Sequence, residues 1–131
     1  MIKSMSHVGI AVKNMSSAIS RYESLLQCKP KKIEKNDEQG IETVFFELEN
    51  VMIELLGSIR PDSTIAKFLK KKGEGIHHIA LATDRISNEM DRLSKLGIKV
   101  IDSKPRKGSH NTQIAFAHPK DLHGVLVELV Q

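Results

Sequence analysis

Cysteine is almost absent from this 131-residue chain: Cys28 stands alone, so no disulfide can close within it, and a reducing compartment is the expectation. Tryptophan is missing altogether. One tyrosine and four phenylalanines leave little aromatic surface on which nucleic-acid bases could stack. No stretch approaches the roughly 18 consecutive apolar residues of a membrane span, and the opening MIKSMSHVGIAV lacks the apolar core and cleavage site of a signal peptide. The formal charge of +4 is not gathered into a basic stripe, since lysine runs occur only at 29–35 and 67–72. These shortages predict a cytoplasmic protein that engages neither nucleic acid nor a membrane. The mild basic excess suits a small anionic substrate, and the length suits one globular domain with a proper core.

What the chain does have is a repeat. MSHVGIAV at 5–12 and IHHIALAT at 76–83 align with His7 on His78, and VMIELL at 51–56 and VLVELV at 125–130 align with Glu54 on Glu128. Laying Phe116 on Phe46 extends the match to the central strands and sets Gln113 opposite Thr43. The unit is strand, helix, three strands, used twice. The fold class predicted is α+β, with two tandem βαβββ modules forming a curved mixed sheet around a metal-binding cleft. Within a single domain over 1–131, module 1 covers about 5–57, a linker helix about 58–75 and module 2 about 76–131.

Periodicity places the elements. A period of two puts His7, Gly9 and Ala11 on one face of the first strand and Val8, Ile10 and Val12 on the other. Met15, Ala18, Ile19, Tyr22, Leu25 and Leu26 recur at helical spacing behind a cap at Asn14 or Ser16, predicting a helix to about Gln27 that covers the Val8, Ile10, Val12 face. The segments 41–48 and 51–56 form a hairpin around Glu49 and Asn50, and Ser63 caps a short helix stopped by Gly73. In the second copy a helix from about Ile86 to Leu96, with Ile86, Met90 and Leu93 on one stripe, ends at Gly97. A strand is predicted near Ile98 to Asp102, then a loop over SKPRKGSHN, then strands at 112–118 and 125–130.

A carboxylate inside an apolar strand is costly unless something positive meets it, and neither strand holding Glu54 or Glu128 contains Lys or Arg. Taken singly, a strand His or Glu is more often solvated or hydrogen-bonded than a ligand. Two of each at matched places in two copies predict that His7, Glu54, His78 and Glu128 bind a divalent cation of the Zn, Co, Ni, Mn or Fe kind. The set contains no thiolate, and the small residues beside the histidines leave coordination positions open. Such a site polarises a carbonyl oxygen, and a substrate with two nearby oxygens would chelate, which favours chemistry through an enolate. His77 points away from His78, and His110, His118 and His123 are expected at the surface.

HVGIAV, IELL, GIHHIAL and GVLVEL, in paired modules of this kind, resemble the vicinal oxygen chelate superfamily. DSTIAKFL (62–69), GEGIHHIAL (73–81) and the run from PRKG at 105 to GVLVEL at 129 narrow the resemblance to the methylmalonyl-CoA epimerases, over almost the whole length. The resemblance implies metal ligation by His7, Glu54, His78 and Glu128, with Co2+ foremost and Zn2+, Ni2+ or Mn2+ as alternatives, an acyl-CoA substrate and a homodimer. It also marks a departure. Family members with a catalytic glutamate on the strand after the Q-G turn carry it where this chain has Thr43; Glu47 lies on the same face two pleats further along.

Epimerisation removes a proton from one face of a carbon and delivers another to the opposite face, so two proton carriers are needed. Glu128 is expected as one. Glu47 is expected as the other, with a metal-bound water or Glu128 itself as alternatives. Thr43, Gln113, Arg106 and Lys120 are expected to face the substrate, the two cations meeting its carboxylate or phosphates. The competing readings are a lactoylglutathione lyase like glyoxalase I, which would carry more Arg and Asn contacts to glutathione, and a metal-free binding protein of the same fold, which would have lost the four ligands.

Overall fold

Eleven regular elements run in the order β1 (Ile2–Ala11), α1 (Met15–Leu26), β2 (Lys32–Asn36), β3 (Ile41–Glu47), β4 (Met52–Ser58), α2 (Thr64–Lys72), β5 (Gly75–Thr83), α3 (Ile86–Lys95), β6 (Arg106–Lys107), β7 (Gln113–Ala117) and β8 (Val127–Val130). The structure is a computed structural model and describes residues 1–131. The strands follow the order β2-β3-β4-β1-β5-β8-β7-β6. The chain condenses into two units, Val8–His77 and Met1–His7 with His78–Gln131, so β1 and β5 each contribute to both. No helix is long and apolar enough to cross a membrane.

In the unit Val8–His77, Asn14 begins α1 by accepting the Ser17 N–H at 3.0 Å, and Gln27 ends it in the left-handed conformation. Met15, Ala18, Ile19, Tyr22 and Leu26 pack on Ile10, Val12, Val44, Phe46, Ile53 and Leu55. Leu25 does not join them. It is 69% exposed, because its position on the helix turns it off the stripe that its neighbours share. Alternation along β4 sends Leu55 to α1 and Leu56 to the other face, where Ile65, Phe68 and Leu69 of α2 meet Leu56, Ala11 and Ile41. Ser63 caps α2 through the Ala66 N–H. The β2–β3 turn is held from outside: Arg60 donates to the carbonyls of Asp37 and Glu38 at 2.8 and 2.6 Å, and its side chain fills the space that a Cβ on Gly40 would need.

In the other unit, Ile86, Met90 and Leu93 of α3 pack on Ala115, Leu129, Ile2 and Val100. The start of α3 has no side-chain cap of its own; the Gln131 side-chain oxygen accepts the Ile86 N–H at 2.7 Å instead. Glu89 is buried in α3 beside the Met1 ammonium and Arg92, which hold its carboxyl below the ordinary carboxylate range.

The strand expected near Ile98 to Asp102 does not form. Val100 makes a single bridge to Ala117, and the Ile101 N–H reaches the Phe116 carbonyl at 2.7 Å. One residue later the carboxylate of Asp102, not a backbone carbonyl, accepts the Phe116 N–H at 2.8 Å. With that donor satisfied by a side chain, the backbone is released from the ladder, and Pro105 could not have donated to it. Pairing resumes at β6, inside the stretch expected to be loop, with Arg106 opposite Ile114 and Lys107 opposite Gln113.

The packing sets a contrast between two leucines. Leu55→Ala, which empties a fully enclosed site, should lower the unfolding free energy by about 2 to 5 kcal/mol. Leu25→Ala should change it by less than about 0.5 kcal/mol. Urea denaturation of the two variants checks both.

Candidate metal centre

The unit containing His78 builds a buried polar cluster on one sheet face. In β5 the period of two puts His78 and Ala80 on the same side, the parallel pairing sets Ala80 beside Glu128, and the antiparallel pairing sets Phe116 opposite Glu128. The two imidazoles meet there: His7 Nε2 lies 3.1 Å from His78 Nε2, with the rings nearly perpendicular. Glu128 closes the group, with Oε2 3.2 Å from His78 Nε2 and Oε1 3.8 Å from His7 Nε2. All three residues are buried.

Donor chemistry and spacing both fit a divalent cation. Two ligands bound to a cation at 2.0–2.1 Å stand about 2.8 to 3.4 Å apart, depending on whether the angle is octahedral or tetrahedral; the 3.1 Å between the imidazoles and the 3.2 Å from Glu128 to His78 fall in that range, and the 3.8 Å from Glu128 to His7 lies beyond it. Ser6 Oγ lies 3.1 Å from His7 Nδ1, which leaves Nε2 as the ring nitrogen turned to the cluster. Phe116 meets the His78 ring edge-on at a centroid distance of 5.8 Å and covers its flank.

In the unit Val8–His77, Glu54 is buried on β4 opposite Phe45 of β3. Since Phe45 pairs with Glu54 as Phe116 pairs with Glu128, the true equivalent of Phe116 is Phe45 and not Phe46. The corrected register matches Thr43 with Ile114 and Gln113 with Glu42. Gln113 therefore lies on the face opposite Phe116 and is exposed.

Thr43 shares the face of Phe45 and Glu54, is buried, and its hydroxyl has no hydrogen-bond partner. Leaving such a group unpaired costs about 1 to 3 kcal/mol. Glu47, two pleats along, has a 51% exposed side chain and is ion-paired with Lys31. Directly opposite Thr43 on β2 stands Glu34, half-buried and 2.6 Å from Lys32 Nζ, whereas its apolar neighbour Ile33 is 56% exposed. Sequence reading missed Glu34. KIEKN shows no alternation of polarity to signal it, and only the β2–β3 register puts the carboxylate inward.

Of the expected cations, Arg106 is on the Phe116 side of the sheet, its guanidinium carbon 5.3 Å from the ring centroid and its Nε 2.9 Å from Asp102 Oδ1. Lys120 is exposed in the short 3-10 turn Pro119–Asp121. His77 stacks edge-on with Phe68, on the side away from His78 as expected. His118 accepts the Lys120 N–H to start that turn, His110 and His123 adopt left-handed backbone conformations, and none of these three is in the cluster.

The model of the Glyoxalase/Bleomycin resistance protein/Dioxygenase superfamily matches residues 6–116. The ethylmalonyl-CoA/methylmalonyl-CoA epimerase of Cereibacter sphaeroides is 38% identical over 133 residues, covering 100% of this chain and 99% of that protein. The mitochondrial methylmalonyl-CoA epimerase of Homo sapiens is 38% identical over 128 residues, covering 97% of this chain and 73% of that one. A solved structure of the Streptomyces coelicolor methylmalonyl-CoA epimerase, in complex with 2-nitronate-propionyl-CoA, has a TM-score of 0.95 at 32% identity and covers 99% of this chain and 94% of that one. The resemblance carried by the sequence motifs is thus borne out in family and in fold. The chain belongs to the Glyoxalase/Bleomycin resistance protein/Dioxygenase superfamily, and relatives named methylmalonyl-CoA epimerase match it over 97 to 100% of its length.

Proposed function

We propose that this chain is a metal-dependent epimerase that interconverts (R)- and (S)-methylmalonyl-CoA by moving the α-proton. The observation that carries the reading is the buried convergence of His7, His78 and Glu128 in a chain with a full-length relative that bears that activity in its name. In this reading His7, His78 and Glu128 are ligands of the metal ion, and the buried carboxylate of Glu54 is the fourth. A divalent cation held there supplies a Lewis acid that stabilises the negative charge of an α-deprotonated thioester. The finer parts of the reading are cobalt as that cation, a homodimer, and the cytoplasm, the last supported by the lone Cys28.

The side chains supply orientation and proton transfer. Ser6 fixes the His7 ring, and Phe116 shields the His78 ring from water. Glu128 presents two carboxylate oxygens, one to ligate and one to carry the α-proton. Inversion needs a second carrier. Two carboxylates on the Thr43 face compete for that role: Glu47, which is half-exposed and ion-paired, and Glu34, which stands opposite the unpaired Thr43 hydroxyl.

Turnover of methylmalonyl-CoA in D2O, followed by proton NMR, should show epimerisation together with solvent deuterium entering the α-position. Conversion without deuterium, or turnover only of a glutathione hemithioacetal, overturns the reading. A cobalt titration gives an activity-independent check: at about 100 times Kd the ion should add about 2.7 kcal/mol to the unfolding free energy. The gain should be lost in His78→Ala. Of Glu34→Gln and Glu47→Gln, the one that removes the second carrier should still exchange the α-proton of a single epimer while losing inversion by about 100-fold or more. Chiral analysis of the exchanged product identifies which.

A further inference from the structure

We propose that Arg106, braced by Asp102, is a binding residue for the carboxylate of the acyl group; the inference rests on the acyl-CoA reading above and names a contact that the metal-centre residues do not supply. Register places it. Arg106 pairs with Ile114, two residues before Phe116 on β7, so its side chain leaves the sheet on the face that carries Phe116 and Glu128. The Phe116 ring lies between a cation and the cluster, with the guanidinium carbon 5.3 Å from its centroid and the His78 ring 5.8 Å away. One aromatic ring therefore separates Arg106 from His78.

The guanidinium is presented in a defined way. Asp102 accepts from Nε at 2.9 Å with one oxygen and from the Phe116 backbone N–H at 2.8 Å with the other, so a single carboxylate ties the arginine to the strand that holds Phe116. Asp102 is mostly buried, with 14% of its side chain exposed, whereas the Arg106 side chain is 44% exposed and reachable. Because Asp102 takes Nε, the two terminal amino groups remain as a planar pair of donors, the geometry that matches the two oxygens of a carboxylate. Holding the head group over Phe116 before the ligand arrives reduces the ordering cost of binding.

The oxyanion could come from the acyl carboxylate or from the phosphates of the CoA moiety. The carboxylate is favoured because it is two bonds from the reacting carbon and must lie beside the cluster, whereas the pantetheine arm carries the phosphates away from it.

The test is isothermal titration of the cobalt-loaded protein with malonyl-CoA, propionyl-CoA and malonyl-pantetheine. Arg106→Gln should weaken both malonyl thioesters by about 10- to 100-fold and leave propionyl-CoA unchanged, and Arg106→Lys should recover part of the loss. A penalty on both CoA esters but not on malonyl-pantetheine assigns the arginine to phosphate and overturns the carboxylate contact; no penalty on any of the three overturns the site. Asp102→Asn should weaken malonyl-pantetheine in the wild-type background and add nothing once Arg106 is glutamine, whereas additive losses overturn its role as a positioning residue. If the unmodified protein binds none of the three thioesters, the acyl-CoA reading itself falls, an outcome separate from the variant results.

Discussion

A carboxylate buried against two imidazoles is the interaction to which the surrounding structure answers. Removing Glu128 from water costs several kcal/mol, and no Lys or Arg lies in its strand; the nearest positive or polarisable groups are His78 and His7. That arrangement requires His78 and Glu128 to leave neighbouring parallel strands on the same side, which the Ala80–Glu128 pairing ensures, and it requires β1 to deliver His7 to the same face. The helices pack where the alternation leaves apolar side chains: α1 on Val12, Val44 and Leu55, α3 on Ala115 and Leu129.

Most of this was legible in the sequence because duplication doubles every signal. A single histidine on a strand says little, but His7 and His78 at the same place in two copies, each followed by a glutamate on the last strand of its module, restrict the chemistry sharply. Helix limits were legible for local reasons, since Asn14, Ser63 and Gly73 act through nearest-neighbour backbone contacts. What was not legible depended on partners distant in the chain. Phe45 and Phe46 carry the same composition on opposite faces, and only the pairing of Phe45 with Glu54 shows which one corresponds to Phe116. Leu25 fits a helical stripe by spacing yet lies outside it, because only the arc from Met15 to Leu26 that includes Ala18, Ile19 and Tyr22 meets the sheet. The inward placement of Glu34 is a property of the β2–β3 register and not of its own neighbours.

Thr43 and Glu34 face each other across β2 and β3. On the edge strand β2 the apolar residue faces out and the charged one faces in, the reverse of what burial alone favours. An inward charge on an edge strand discourages pairing with another sheet, but that does not account for the adjacent buried hydroxyl without a partner. Both features lie on the side of β3 that carries Glu54.

The side chain of Asp102 standing in for a ladder carbonyl has an evolutionary corollary. Because the strand beneath is already saturated at Phe116, residues 103–105 can lengthen, shorten or change sequence without shifting the pairing of β7 with β8. That segment can drift in evolution while Phe116 and the carboxylate of Glu128 opposite it keep their places.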